Sequence, residues 1–278
     1  MVRKKTAFIK DVIRDIKKSR GRFLSIAAII ALGVAFFSGL KIAPEVMKFT
    51  ADKYYDDYNL MDIRIVSTLG LTDDDLKAIN KIENVEESLA TYTLDALADY
   101  GESEVVLRVH GFTAENQING AKLLEGRFPE NSDECVVESS ENGFVNVNLG
   151  ETIRLYSGRD EPLSDDLENT KFTVVGIVQT PYYLSFEKGN SNIGNGQVRN
   201  FIMIPEENFK QEVYTDIFLT VEDAKEINSY NDEYFVLIDK VTEHLEDLAI
   251  DRQRLRYDEV IGKANSELDK GKKEYEDE

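Results

Sequence analysis

Hydrophobic residues near the start of the chain follow two successive patterns. In residues 8–16 they recur at helical spacing opposite basic residues, which predicts an amphipathic helix lying on a membrane surface. Its apolar positions are Phe8, Ile9, Val12, Ile13 and Ile16. Residues 23–40 are then uncharged, and a helix of that length spans roughly 27 Å. We therefore predict a basic amphipathic helix over 1–22 and a transmembrane helix over 23–43, ended by Pro44.

The charges divide at this apolar segment. Residues 1–22 carry nine basic and two acidic residues, a net charge of +7. The whole chain has 278 residues with 33 Lys and Arg against 53 Asp and Glu, a net charge of −20, so the remainder carries −27. The positive-inside rule then predicts a cytoplasmic N-terminus in the cell membrane and an extracytoplasmic main domain. This acidic balance also argues against nucleic acid as a partner.

Two alternatives stay open for the N-terminal region. A cleaved signal peptide also begins with basic and then apolar residues, but this apolar run exceeds the usual ~7–15 residues and no A-x-A-like site follows it. The amphipathic helix is either a contact surface for a cytoplasmic partner or a topogenic anchor with no further role.

Residues 44–240 mix strand and helix patterns. A helix is predicted to carry residues 45–61 from the membrane into the domain. A second runs from Thr72 to about residue 84, with Thr72 and Asp75 forming a capping box. The adjacent acids at 73–75 also suggest calcium ligands, but they lack the spacing of a calcium loop, which favours capping. Strands are predicted at 62–66, 89–99, 104–112, 135–138, 152–156, 172–178, 200–204 and 216–221. With a helix at 222–229, this mixture predicts an α+β fold.

The last part of the chain is densely charged. Residues 234–238 form either another strand or the beginning of the last helix, and residues 241–278 have the pattern of a long coiled-coil helix. Its seam contains Leu245, Leu248, Leu255, Ile261 and Leu268. Because this seam has no partner in the sequence, we expect the chain to be a fragment that continues in the natural protein.

Motifs that would indicate catalysis or a bound cofactor are not found in the sequence. Cys135 is the only cysteine, so no intramolecular disulfide is possible, and it is interpreted as a buried strand residue. The two histidines, His110 and His244, lie far apart in sequence, which argues against a zinc site. Neither G-x-x-x-x-G-K-[ST] nor G-x-S-x-G occurs. We therefore expect a protein that is not an enzyme and has no catalytic, cofactor or metal site.

The order of these features, together with several short phrases, resembles an ABC transporter permease of the MacB/FtsX-like group, the type VII or mechanotransmission class. The resemblance covers about residues 1–240. Its phrases are L-x-x-x-D-L-x-x-I-x-x-I-x-x-V at 71–85, L-x-E-G-R-x-P at 123–129, CVVE at 135–138, NLGETI at 148–153, FTVVGIV at 172–178 and NFIMIP at 200–205.

The resemblance implies a two-lobed extracytoplasmic core domain over 44–240. A porter-like lobe would use 52–118 and 214–240, a β-rich lobe would use 119–213, and residues 241–278 would begin a coiled-coil stalk. The expected partners are a cytoplasmic ABC ATPase that binds the ATP, membrane lipid, a second permease copy and an extracytoplasmic substrate or protein of unknown nature.

In this interpretation the apolar face of residues 8–16 contacts the ATPase or the membrane. The alternative function is a single-span anchored surface protein whose acidic ectodomain binds a partner without an ATPase. A third is a secreted acidic binding domain.

Overall fold

The computed structural model describes residues 3–277, except 101–102, 115–117, 140–146 and 186. The described part combines helices at both ends with ten strands between them, which confirms the α+β class. The helices are α1 (Arg3–Lys18), α2 (Arg20–Asp57), α3 (Asp73–Ile79) and α4 (Asp232–Asp277). The strands are β1 (Ile63–Leu71), β2 (Val85–Thr91), β3 (Thr93–Tyr100), β4 (Ser103–Phe112), β5 (Lys122–Gly126), β6 (Glu134–Glu138), β7 (Thr152–Tyr156), β8 (Lys171–Gln179), β9 (Val198–Pro205) and β10 (Tyr214–Val221).

The chain divides into one unit that ends at Ala51 and a second that begins at Asp52. In the first unit, α1 is followed by a break at Ser19 and then by α2. Pro44 does not end the helix, because α2 runs through it to Asp57, and the end of the membrane span at Pro44 stays a prediction. Proline removes one backbone donor, and the bonds on either side suffice to continue a helix. The predicted helix after the span is thus the continuation of α2.

Three antiparallel strands in the order β1-β10-β2 form the first sheet of the second unit. One face of this sheet is apolar and packs against α3 and the first turns of α4. Its core contains Ile217 and Leu219 from β10 together with Val241 and Leu245 from α4. The burial of these side chains fixes the beginning of the last helix to the domain.

The other seven strands form a sheet that closes on itself. Their order is β5-β8-β6-β9-β4-β3-β7, and β7 also pairs with β8. Six strands therefore form a closed ring, with β5 attached to β8 outside it. Alternate residues such as Val109, Cys135, Phe172 and Ile202 point to the same buried core, as expected for the interior of a small barrel.

The chain passes from the first sheet to the second at Tyr92. The strand predicted at 89–99 is therefore wrong as a single element, because β2 ends at Thr91 and pairs with β10, whereas β3 pairs with β4. Both β3 and β4 join the ring and not the three-stranded sheet, and the two predicted lobes stay a prediction.

Other predicted elements differ in extent. The helix after Thr72 ends at Ile79, well before residue 84, because Asn80 caps it and Asn84 adopts a positive φ of 69°. The helix expected at 222–229 is one 3-10 turn, Ala224–Glu226. Residues 234–238 belong to α4 and are not a strand.

Candidate functional site

A polar junction joins the end of α2 to the loop that leads into α4. The carboxylate of Asp52 accepts hydrogen bonds from Asn228 Nδ2 at 2.8 Å and from the backbone N–H of Ser229 at 2.6 Å. One turn further along α2, the hydroxyl of Tyr55 lies 2.9 Å from that of Tyr230. We call these five residues the helix junction. It ties the helix that enters the domain to the helix that leaves it.

A second set of contacts supports the junction from the three-stranded sheet. Asp62 accepts a hydrogen bond of 2.6 Å from the hydroxyl of Tyr234 on α4 and one of 2.8 Å from the backbone N–H of Val221. Burial raises the pKa of Asp62, and these two bonds oppose the shift. Burial and the neighbouring Asp62 carboxylate raise the pKa of Tyr234, so its hydroxyl stays protonated as a donor at neutral pH.

Further along α4, Arg252 forms an ion pair with Asp75 at the beginning of α3, and we call this pair the clasp. Arg252 Nε donates to Asp75 Oδ1 at 2.6 Å, while Asp75 Oδ2 accepts from the N–H and the hydroxyl of Thr72, each at 2.7 Å. Thr72 and Asp75 thereby form the predicted capping box, which is confirmed. Burial raises the pKa of Asp75, but the hydrogen bonds from Thr72 and Arg252 outweigh it and leave that pKa below its usual value. Of the three acids, Asp75 therefore caps the helix, whereas Asp73 accepts a hydrogen bond of 2.9 Å from the hydroxyl of Tyr214 and Asp74 pairs with Lys77.

The residues expected to contact an ATPase lie along α1, and four of the five are largely exposed. Their set is Phe8, Ile9, Val12, Ile13 and the half-buried Ile16. No structural contact tests the ATPase prediction, so it stays a prediction.

The predicted coiled-coil seam divides into two parts. Leu245 is buried in the core beside the three-stranded sheet, and the half-buried Leu248 packs against the same core. Leu255, Ile261 and Leu268 are exposed on α4. The first two leucines are therefore core residues of the domain, which their heptad-like spacing could not reveal.

The helix junction itself was missed by sequence reasoning. Asp52 and Ser229 are 177 positions apart, and neither lies in a recognisable motif. Only the broken apolar pattern of residues 45–61, which predicted a helix entering the domain, indicated where one side of the junction begins.

A buried polar cluster lies beside the ring of strands. His110 Nε2 is 2.7 Å from the hydroxyl of Tyr183, and its Nδ1 is 3.1 Å from the hydroxyl of Thr93. Next to it, Arg108 donates two hydrogen bonds to the Asp95 carboxylate, at 2.8 and 3.1 Å. Burial is the main reason that the pKa of His110 falls to about 4. His110 is therefore a neutral structural residue at pH 7.

The charged groups around His110 shift its pKa in opposite directions. Asp216 and Asp95 raise its pKa, whereas Arg108 and Arg64 lower it. Cys135 is fully buried, and burial raises the pKa of its thiol, which matches its interpretation as a buried strand residue. Within the described ranges, no three His, Cys, Asp or Glu side chains come together as a metal site.

The fold combines a long N-terminal helix with an α+β domain. Within the described residues one helix, α2, is long and apolar enough to cross a membrane. The model of the family described as the MacB-like periplasmic core domain matches residues 23–234, well over half of the chain. The chain belongs to this family. The resemblance to a MacB/FtsX-like ABC transporter permease is thereby confirmed at the level of the extracytoplasmic domain.

Two solved structures are similar to parts of the chain. The extracellular domain of the noncanonic ABC-type transporter YknZ from Gram-positive bacteria shares 14% identity, with coverage of 63% of this chain and 86% of that chain and a TM-score of 0.35. The periplasmic region of MacB from Actinobacillus actinomycetemcomitans shares 16% identity, with coverage of 66% and 75% and a TM-score of 0.38. A comparison with curated proteins gives no match. Family membership rests on the match to the family model.

Proposed function

We propose that this chain is a permease subunit of an ABC transporter that transmits ATPase-driven movement to its extracytoplasmic domain. The observation that carries this proposal is the helix junction, considered together with membership of the family. Asp52 lies on the helix that contains the membrane span, and its carboxylate holds the loop that leads into α4. A displacement of the end of α2 would therefore reach the loop that leads into α4 through direct hydrogen bonds.

The continuity of α2 supports the same mechanism. The helix runs from the apolar segment through Pro44 to Asp57 without a loop. A continuous helix transmits displacement better than a flexible linker, because its backbone hydrogen bonds resist bending. In this mechanism α4 acts as the lever, with Leu245 and the clasp between Arg252 and Asp75 holding its first half to the domain.

The charge pattern supports the proposed orientation in the membrane and the proposed partners. The net charge of +7 on residues 1–22 favours a cytoplasmic N-terminus. The exposed apolar face of α1 would then contact the cytoplasmic ATPase subunit or the inner leaflet of the membrane. ATP would bind to that separate subunit, and the chain itself would have neither an enzymatic activity nor a cofactor. A second permease copy and an extracytoplasmic substrate or protein complete the proposed assembly.

The proposal is tested by changing the apolar face of α1. In the full chain purified from native membranes, replacing Ile9 and Ile13 with Asp is expected to reduce co-purification of an ATPase at least tenfold, which corresponds to about 1.4 kcal/mol. The partner is accepted only if it contains G-x-x-x-x-G-K-[ST] and the complex shows vanadate-sensitive ATP hydrolysis.

A matched control separates the loss of the apolar contact from the change in the net charge of α1. Replacing Lys17 and Lys18 with Ser changes the net charge by the same two units on the polar side of α1, and it should leave recovery of the ATPase unchanged. If the wild-type chain recovers no such ATPase, the permease proposal fails and the anchored surface protein is favoured. Equal recovery with the Ile9 and Ile13 variant, when it is normally inserted, would reject α1 as the contact.

A further inference from the structure

A cavity of about 510 Å³ lies between the three-stranded sheet and the ring of strands. Leu89 and Phe218, which are paired across β2 and β10, contribute one wall from the sheet face opposite α4. Leu123 on β5 and Met203 on β9 contribute the wall from the other sheet.

The walls of this cavity are mainly apolar and aromatic. The rings of Phe112 and Phe128 are stacked, with centroids 5.2 Å apart and planes 8° from parallel. The ring of Tyr182 lies with its centroid 5.8 Å from that of Phe218. These four aromatic side chains combine with aliphatic residues and with the flexible thioether of Met203, which adapts to irregular apolar ligands.

The ionisable groups in the described lining do not offer an ionic partner inside the cavity. The Arg127 guanidinium is already bound to both carboxylate oxygens of Glu134, at 2.6 and 2.7 Å, and to the carbonyl of Phe128 at 3.0 Å. Hydrogen bonds led by that of Arg127 hold the pKa of Glu134 well below its usual range, so the pair stays ionised. His110 is buried and neutral, and Glu130 is exposed. The enclosed part of a ligand should therefore be uncharged.

We propose that this cavity binds the acyl chain of a single-chain amphiphile, with the polar head at the side of Arg127 and Glu130. The volume lies within the roughly 300–1,000 Å³ typical of small-molecule sites. A flexible chain suits walls that mix flat rings with aliphatic side chains better than a rigid ligand does. The site goes beyond the proposed function, because binding here depends on neither an ATPase nor the helix junction.

Site-resolved photolabelling of the full chain in lipid nanodiscs tests this proposal. One probe is a dodecyl maltoside with a diazirine in its chain, added from the aqueous phase. The other is a phospholipid with the same group in one acyl chain, incorporated into the nanodisc. After irradiation, adducts are mapped by mass spectrometry. We expect adducts on the peptides that contain Met203 and Phe218, and labelling of residues 23–43 serves as the internal reference for insertion.

Two substitutions that fill the cavity from opposite walls provide the decisive comparison. Leu89→Trp and Ala121→Trp should each reduce cavity adducts about tenfold, because the indole occupies the space of the chain, while labelling of residues 23–43 stays constant. Val236→Trp, at an exposed position of α4 outside the cavity, is the matched control and should change neither signal.

The outcomes distinguish where the bound acyl chain comes from. Cavity adducts from the maltoside alone indicate an amphiphile taken from the aqueous phase, and adducts from both probes indicate that membrane lipid also enters. Wild-type adducts confined to residues 23–43 would overturn the proposal, whether or not the tryptophan variants fold. Cavity adducts that persist in correctly folded Leu89→Trp and Ala121→Trp would overturn it as well. Loss of ATPase recovery would leave this result unaffected.

Discussion

Replacing Asp75 with alanine measures how strongly α3 and α4 are fixed to each other. The residue is only 6% exposed, and its carboxylate accepts hydrogen bonds from the N–H and hydroxyl of Thr72 and from Arg252 Nε. Alanine removes all three bonds at once. It also leaves Arg252 without its partner carboxylate on α3.

The expected loss of stability follows from these bonds. Removing the capping box costs about 1 kcal/mol. A hydrogen bond to a charged group is worth about 1.5–3 kcal/mol, and the lower part of that range applies because the side chain of Arg252 is 21% exposed and can rehydrate. Together the free energy of unfolding should fall by about 3 kcal/mol. For a domain of this size the Tm should then fall by about 6–12 °C.

The measurement is thermal unfolding of the full chain in detergent, followed by circular dichroism, with hydrogen exchange of the α3 amides as a local probe. Asp74→Ala is the matched control, because Asp74 is in the same helical turn but is 69% exposed and pairs only with the similarly exposed Lys77. Asp74→Ala should lower the free energy of unfolding by less than about 1 kcal/mol. Equal Tm shifts in the two variants would refute the view that the clasp between Asp75 and Arg252 fixes α4.

The remaining predictions concern His110 and the two parts of the α4 seam. The pKa of His110 is about 4 in the folded chain and near 6.5 when unfolded, so the neutral side chain contributes fully to the free energy of unfolding above pH 6.5. This contribution is lost as the pH falls from 6.5 towards 4, and at pH 5 the loss is about 2 kcal/mol. Denaturant unfolding at pH 7 and pH 5 should show this loss relative to His110→Asn, and identical pH dependence in both proteins would contradict it. Leu245 is 7% exposed, and Leu245→Ala should lower the free energy of unfolding by about 2–5 kcal/mol. Leu255 is 50% exposed, and Leu255→Ala should lower it by less than about 1 kcal/mol. Similar costs in a monomeric sample would mean that Leu245 is not a core residue.

Local features of this protein could be predicted from the sequence because their causes lie within a few residues. The capping box needs only Thr72 and Asp75, three positions apart, and it forms as expected. The apolar run at 23–40 lies within α2, and the charged helical pattern of the last residues lies within α4. The ordered phrases from residue 71 to 205 were sufficient to indicate the family.

The extent of α2 and the division of strands could not be predicted in the same way. Proline usually ends or kinks a helix, and only the backbone hydrogen bonds around Pro44 show that α2 continues past it. Residues 89–99 have one continuous strand pattern, yet Thr91 pairs with β10 and Thr93 with β4. Strand partners are chosen by contacts between distant segments, which the pattern of a single segment does not contain.

The sequence by itself determined the apolar helix, the change of charge across it, the α+β class and the family. Tertiary structure alone decided that Leu245 belongs to the core, that the sheet of seven strands closes through β7, and that Asp52 meets Ser229 from 177 positions away. Local propensity and hydrophobic periodicity act over one or two helical turns. The junction, the ring closure and the cavity between the sheets depend on packing among segments that meet only when the whole domain is folded.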